Sequence, residues 1–188
     1  MRQLTPVLAL VFVLTGCTTV VNSVTEGPIE YDGTETSVGT NINDIKMDTY
    51  IGVNIKKADP SLDKSHINVN VFNAVVLLTG EVPNSTMKVL AGDVAREFNG
   101  VRQVHNEIQV RGKSSIVSRT NDSLLTGKIK TKMAFDKQVK ATDMQVVTED
   151  SVVYLMGKVR QIDGEAAANI ARESSGVRKV VKVFEYID

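Results

Sequence analysis

Val75-Val76-Leu77-Leu78-Thr79-Gly80-Glu81-Val82 and Val152-Val153-Tyr154-Leu155-Met156-Gly157-Lys158-Val159 are one pattern written twice. Each run is rich in β-branched residues and carries a glycine at its sixth position, which predicts a strand. Alternation puts Val76 and Leu78 on one face, and Val153 and Leu155 on the matching face of the second run. The likeness continues on both sides. His66-Ile67-Asn68-Val69 lines up with Asp143-Met144-Gln145-Val146, and Val94-Ala95-Arg96-Glu97 with Ile170-Ala171-Arg172-Glu173. Gly100-Val101-Arg102 matches Gly176-Val177-Arg178. The chain therefore holds a duplicated unit, too few copies for a solenoid, which needs at least three.

Within each unit the periodicities come in one order. A helix opens it, with Met47, Ile51 and Ile55 or Leu125, Ile129 and Met133 at i, i+4, i+8. Asp122 or Ser123 is the expected cap of the second of these helices. Strands follow at 67–72 and 75–82, and at 144–148 and 152–159. The short connections Asn73-Ala74 and Asp150-Ser151 suit hairpins although neither contains glycine. A second helix carries Met87, Ala91, Val94 and Phe98, capped by Asn84 or Ser85, or Ala167, Ile170 and Ala171 in the other copy. The last strands are read at 101–110 and 177–187. The expected fold class is α+β, each unit αββαβ with a three-stranded mixed sheet packed on two helices.

The remaining composition sets limits. The 188 residues carry 22 Lys+Arg against 22 Asp+Glu, so bulk positive charge does not mark a nucleic-acid binder. A single cysteine excludes an intramolecular disulfide, and no Cys/His cluster could build a structural zinc site. That cysteine has a particular address. Met1-Arg2-Gln3, the apolar run from Leu4 to Leu14, and Leu14-Thr15-Gly16-Cys17 have the shape of a secretory signal ending in the lipobox of bacterial lipoproteins. Cleavage before Cys17 and acylation of its thiol and amine would anchor the chain firmly. Thr18, rather than Asp, favours sorting to the outer membrane of a Gram-negative cell, with the chain on the periplasmic face. The expected order is a signal peptide at 1–16, lipidated Cys17 with a flexible tether at 17–45, domains at 46–110 and 121–188, and a basic linker at 111–120. The tether is acidic, holding Glu26, Glu30, Asp32, Glu35 and Asp44 with no Lys or Arg after Cys17.

Leu78-Thr79-Gly80 with Gly100-Val101, and Leu155-Met156-Gly157 with Gly176-Val177, resemble the BON-domain family. Two such units behind a lipobox are similar to the dual-BON outer-membrane lipoproteins. The resemblance implies a non-enzymatic protein whose second domain binds anionic phospholipid such as phosphatidylglycerol or cardiolipin. It also implies enrichment at division sites and support of envelope integrity, and it leaves open an adaptor for the outer-membrane protein assembly machinery.

Neither a catalytic site nor a cofactor is expected. His66 and His105, the only histidines, read as ordinary surface residues without a nucleophile at motif spacing. No pair of carboxylates stands out. The second unit's first helix is different. Leu124, Lys128 and Lys132 form a stripe beside its core residues, and the stretch 128–140 holds five lysines against Asp136 alone. An apolar side chain bordered by flexible cations suits a phospholipid surface. The candidate lipid-binding residues are Leu124, Lys128 and Lys132, with Met133 and Phe135 extending the apolar edge. The first unit's corresponding stripe reads as Tyr50, Asn54 and Ala58. The rival reading is a solvated face with Leu124 buried against the neighbouring domain. The lipobox makes its own prediction: Cys17→Ala leaves the precursor uncleaved at this position and without lipid, checked by mass spectrometry of the membrane-bound and soluble forms.

Overall fold

The computed structural model describes residues 40–187. Cys17 and the signal segment, with the tether up to residue 39, lie outside the described residues. Two units follow one another. The first contains α1 (Thr40–Ala58), the short α2 (Pro60–Asp63), β1 (His66–Phe72), β2 (Val75–Val82), α3 (Ser85–Glu97), β3 (Gln103–Asn106) and β4 (Gln109–Val110). The second contains α4 (Ile116–Phe135), a 3-10 turn at Ala141–Asp143, β5 (Met144–Glu149), β6 (Val152–Val159), α5 (Gln161–Arg172) and β7 (Lys179–Tyr186).

Each hairpin turns without glycine, and the reason lies on the preceding helix. Asn73 and Ala74 have φ of 49° and 61°, and Asp150 and Ser151 repeat those values, as a two-residue type I′ turn requires. Left-handed backbone costs roughly 1–2 kcal/mol at a residue bearing a Cβ. In the first unit the Asp44 carboxylate accepts both turn amides, from Asn73 at 2.6 Å and Ala74 at 3.0 Å. In the second, Asp122 accepts from Asp150 at 2.7 Å and Ser151 at 2.8 Å. Both acids are buried. Hydrogen bonds to a charged group contribute about 1.5–3 kcal/mol each, enough to offset the turn.

Asp122 is therefore not a helix cap. The cap of α4 is Ser115, whose side chain accepts from the Ser118 amide, and the helix runs on through Asp122 to Phe135. Residues 116–120, read as linker, are the first turn and more of α4, so the connector contracts to 111–115. In the same way residues 40–45, read as the end of the tether, belong to α1.

The sheets are mixed. β1 and β5 pair antiparallel with β2 and β6, while β3, β4 and β7 pair parallel with those central strands. The strand expected at 101–110 is two pieces in one register, with Val75 opposite Gln103 and Glu81 opposite Gln109. Between them Ile108 drops into the core, so the first sheet has four strands and the second three. The repeated glycine has a steric cause. A Cβ on Gly80 would lie 2.0 Å from the His66 carbonyl oxygen, and one on Gly157 would lie 2.6 Å from that of Asp143. Only glycine lets the hairpin partner cross so closely.

Val76, Leu78 and Val82 pack with Met47, Ile51 and Ile55 in one core. Val153, Leu155 and Val159 pack with Leu125, Ile129 and Met133 in another. The opposite faces are buried as well. Val75 and Leu77 meet Tyr154, Met156 and Val183 in a third cluster, so the two sheets pack face to face with helices on the outside of each. Continuous apolar runs are what a strand buried on both faces requires. Polar contacts rim this interface, among them Arg111 to Asp150 at 3.0 Å and Arg102 to Glu185 at 2.6 Å.

The clamp is testable. Asp122→Ala leaves two turn amides without their acceptor and is expected to remove about 3 kcal/mol of stability. Changing Asp150-Ser151 to Asn-Gly in that background should restore about 1–2 kcal/mol, since the turn then needs less help. Urea unfolding followed by circular dichroism measures both.

Candidate membrane interface

Helix α4 has 20 residues and so spans about 30 Å. One line of it, Leu125, Ile129 and Met133, is buried in the second core. Asp122, reaching the hairpin, fixes the same inward orientation. The outward line is apolar at three points. Val117 is 69% exposed, Leu124 69% and Phe135 85%. They lie seven and eleven residues from one another along the helix, whole turns to within about 20°, and the line they draw is about 27 Å long. Lys128 stands one turn beyond Leu124 and Lys132 two turns beyond, both exposed. Lysines 130, 137 and 140 are exposed around them.

Leu124 does not pack between the domains, so the rival reading of a buried leucine fails. It edges an open cleft of about 330 Å³ shared with Asn121, Lys128, Ser175 and Gly176. Lys128 donates to the Ser175 carbonyl at 3.4 Å, a long bond that holds its ammonium over this cleft. Phe135 and Lys132 edge a second groove, about 400 Å³, with Ile170 of α5 and Glu173 just past its end across from them.

Of the residues expected at this surface, Leu124, Lys128, Lys132 and Phe135 share the exposed face. Met133 does not. It is 1% exposed and packs in the second core with Ile129 and Leu155, so it cannot extend an apolar edge toward lipid. Its i+4 spacing from Ile129 already carried that information. Val117 falls in the stretch read as linker, and its seven-residue spacing from Leu124 is the sequence signal that places it on this line.

The equivalence of Asp44 with Asp122 also corrects the comparison between the units. Leu124 corresponds to Lys46, Lys128 to Tyr50 and Lys132 to Asn54, one turn earlier than the stripe expected from sequence. Tyr50 packs against the first core. Among the described side chains of α1, Ile45 is the one large exposed apolar group, and they draw no such line.

The BON-domain family profile matches residues 51–112 and again 121–188. The outer membrane lipoprotein DolP of Haemophilus influenzae is 40% identical over 152 residues, covering 81% of this chain and 79% of that protein. A 21 kDa hemolysin of Actinobacillus pleuropneumoniae is 34% identical over 151 residues, 80% of this chain and 78% of that protein. Among solved structures, the C-terminal domain of CdsD, a structural protein of the type III secretion system of Chlamydia trachomatis, shares 12% identity. It covers 81% of this chain and 100% of its own at a TM-score of 0.26, too loose to carry the comparison further. Among the described residues no helix is long and apolar enough to cross a membrane. The duplicated hairpin-helix-strand unit, its two profile matches and its DolP-like relative together place the chain in the BON-domain family, as a tandem-BON outer-membrane lipoprotein.

Proposed function

We propose that α4 holds this lipoprotein against anionic phospholipid, phosphatidylglycerol or cardiolipin, in the bilayer to which Cys17 anchors it. The role is non-enzymatic and serves envelope integrity at division sites. The observation that supports it is the exposed apolar line Val117, Leu124 and Phe135 lying beside Lys128 and Lys132. A helix of this make-up rests in the plane of the interface, its apolar side chains in the acyl boundary and its lysines among phosphates. Each lysine near an anionic surface contributes about 1 kcal/mol. That is weak for a free protein. An acylated N-terminus makes the second contact intramolecular, and weak surfaces then suffice.

The charge and apolar contributions separate by their salt dependence. Changing Lys128 and Lys132 together to Gln should weaken partitioning into phosphatidylglycerol vesicles about thirtyfold at low salt, the equivalent of about 2 kcal/mol. The deficit should shrink as salt rises. Leu124→Asn should weaken binding to a similar extent at every salt concentration, because it removes buried apolar area rather than charge. Lys46→Gln and Tyr50→Ser in the first domain serve as controls and should leave binding within twofold. Co-sedimentation with anionic and zwitterionic vesicles measures all of these. If the folded α4 variants bind like the parent, the face docks a protein, and the adaptor for outer-membrane protein assembly takes the place of the lipid reading.

A further inference from the structure

His66 is not the ordinary surface histidine its sequence context suggests. It lies at the polar end of the space between the two sheets, with two buried carboxylates, one from each domain. Its Nδ1 is 3.2 Å from Glu81 Oε2 on β2 and 3.9 Å from Glu149 Oε1 on β5. The Glu81 side chain is fully buried and that of Glu149 is 8% exposed.

Each carboxylate has one oxygen held by neighbours away from His66 and the other turned toward it. Arg111 donates to Glu81 Oε1 at 3.2 Å, while Oε2 faces His66 and accepts from Ser114 at 3.3 Å. Asn68 donates to Glu149 Oε2 at 2.8 Å and Thr79 to the same oxygen at 3.4 Å. Glu149 Oε1 accepts no hydrogen bond among the described residues. Its neighbour is His66 Nδ1, beyond hydrogen-bonding distance. Opposite charge is scarce here. Arg111 divides itself between Glu81 and Asp150, and Arg178 pairs with Asp150. On α4, Asp122 is spent on the hairpin amides and Arg119 reaches the Ser114 carbonyl, its Nε buried without an acceptor. Burial first, and then the negative charges of Glu81 and Asp122, raise the Glu149 carboxyl above its ordinary range.

We propose that His66, Glu81 and Glu149 form a zinc-type divalent metal site that clasps the first domain to the second. The donor set is one imidazole nitrogen and two carboxylate oxygens, which suits zinc and its neighbours better than calcium or magnesium, the cations of all-oxygen cages. The three donor atoms lie within 4.8 Å of one another. Bonds of about 2.0–2.2 Å in a tetrahedron set neighbouring ligands about 3.3–3.6 Å apart, so the His66–Glu81 edge is near that length and the others close by a short side-chain movement. Arg111, Asn68 and Thr79 supply the outer hydrogen bonds that orient metal-binding carboxylates. A polar groove of about 410 Å³ between the domains, lined by His66, Asn68, Arg119, Thr126 and Glu149, gives an ion its entry and leaves water the fourth position.

The test uses the purified protein stripped with EDTA and titrated with zinc chloride by calorimetry. One zinc per chain should bind, and the thermal midpoint should rise and return when EDTA is added. Affinity should fall as pH falls, because protons compete with a metal ion for its ligands. His66→Gln and Glu149→Gln should each weaken binding at least a hundredfold. Asn68→Ala, which keeps all three ligands and loses an orienting bond, should weaken it about tenfold. His105→Gln should change nothing. In the unaltered protein the His66 Nδ1 resonance should shift on zinc addition, a readout that needs no variant to fold. An unshifted resonance, no binding, or binding that His66→Gln and Glu149→Gln leave intact would overturn the site and leave His66 a hydrogen-bond partner of Glu81 only.

Discussion

A buried carboxylate on the first helix of each domain, Asp44 or Asp122, grips both amides of that domain's hairpin turn. Much else depends on this contact. It permits a type I′ turn at four residues that all carry a Cβ. It also sets the rotation of the helix over the sheet. With Asp122 turned inward, Leu125, Ile129 and Met133 are the residues three, seven and eleven places on, and they point the same way. Leu124, two places on, is rotated by about 200° and has to face outward, with Val117 and Phe135 on its line. The exposed apolar edge of α4 is thus a consequence of where one aspartate is held.

The same contact explains what the sequence disclosed and what it hid. Apolar spacing alone located both cores, because Val76, Leu78, Val153 and Leu155 alternate and the helical stripes recur every four residues. Gly80 and Gly157 were legible as special, since a repeated glycine in an apolar strand marks a close approach. Asp122 misled. An acid ahead of a helical stripe has the form of an N-cap, and only the fold shows its oxygens reaching a turn 28 residues away. That misreading shortened α4 by its first turn and more, and Val117 was lost with it. His66 and Glu149 were illegible for a different reason. They meet across a domain interface, and no local spacing records a contact between residues 66 and 149.

The interface itself is graded. At one end Val75, Leu77, Tyr154 and Met156 fill the space between the sheets, as the core of a sandwich does. Along β2 the inward-facing series continues with Thr79 and Glu81, still buried but polar. An apolar contact alone would let the two sheets slide by a residue pair at modest cost. Buried groups with directional partners do not allow this, because each shift strands a carboxylate without its hydrogen bonds. Asn68 on Glu149 and Arg102 on Glu185 tie particular residues of one domain to particular residues of the other.

The register between domains bears on the proposed membrane face because both run through the same two elements. Helix α4 lies on β5, where Thr126 bonds Thr148 at 2.7 Å, and Glu149 is the next residue along that strand. Asp122 on α4 contributes to the negative field around Glu149 while it holds the turn that follows β5. Whatever neutralises Glu149, a proton or a metal ion, favours the arrangement in which the first domain backs the second and the Leu124 face of α4 stays exposed. By linkage, a bilayer that prefers α4 in that arrangement must favour the cation at Glu149 to the same degree. The two sites would influence each other only through the equilibrium between docked and undocked sheets. The buried Glu149, held through one oxygen by Asn68 and Thr79, is the group through which that dependence would be felt.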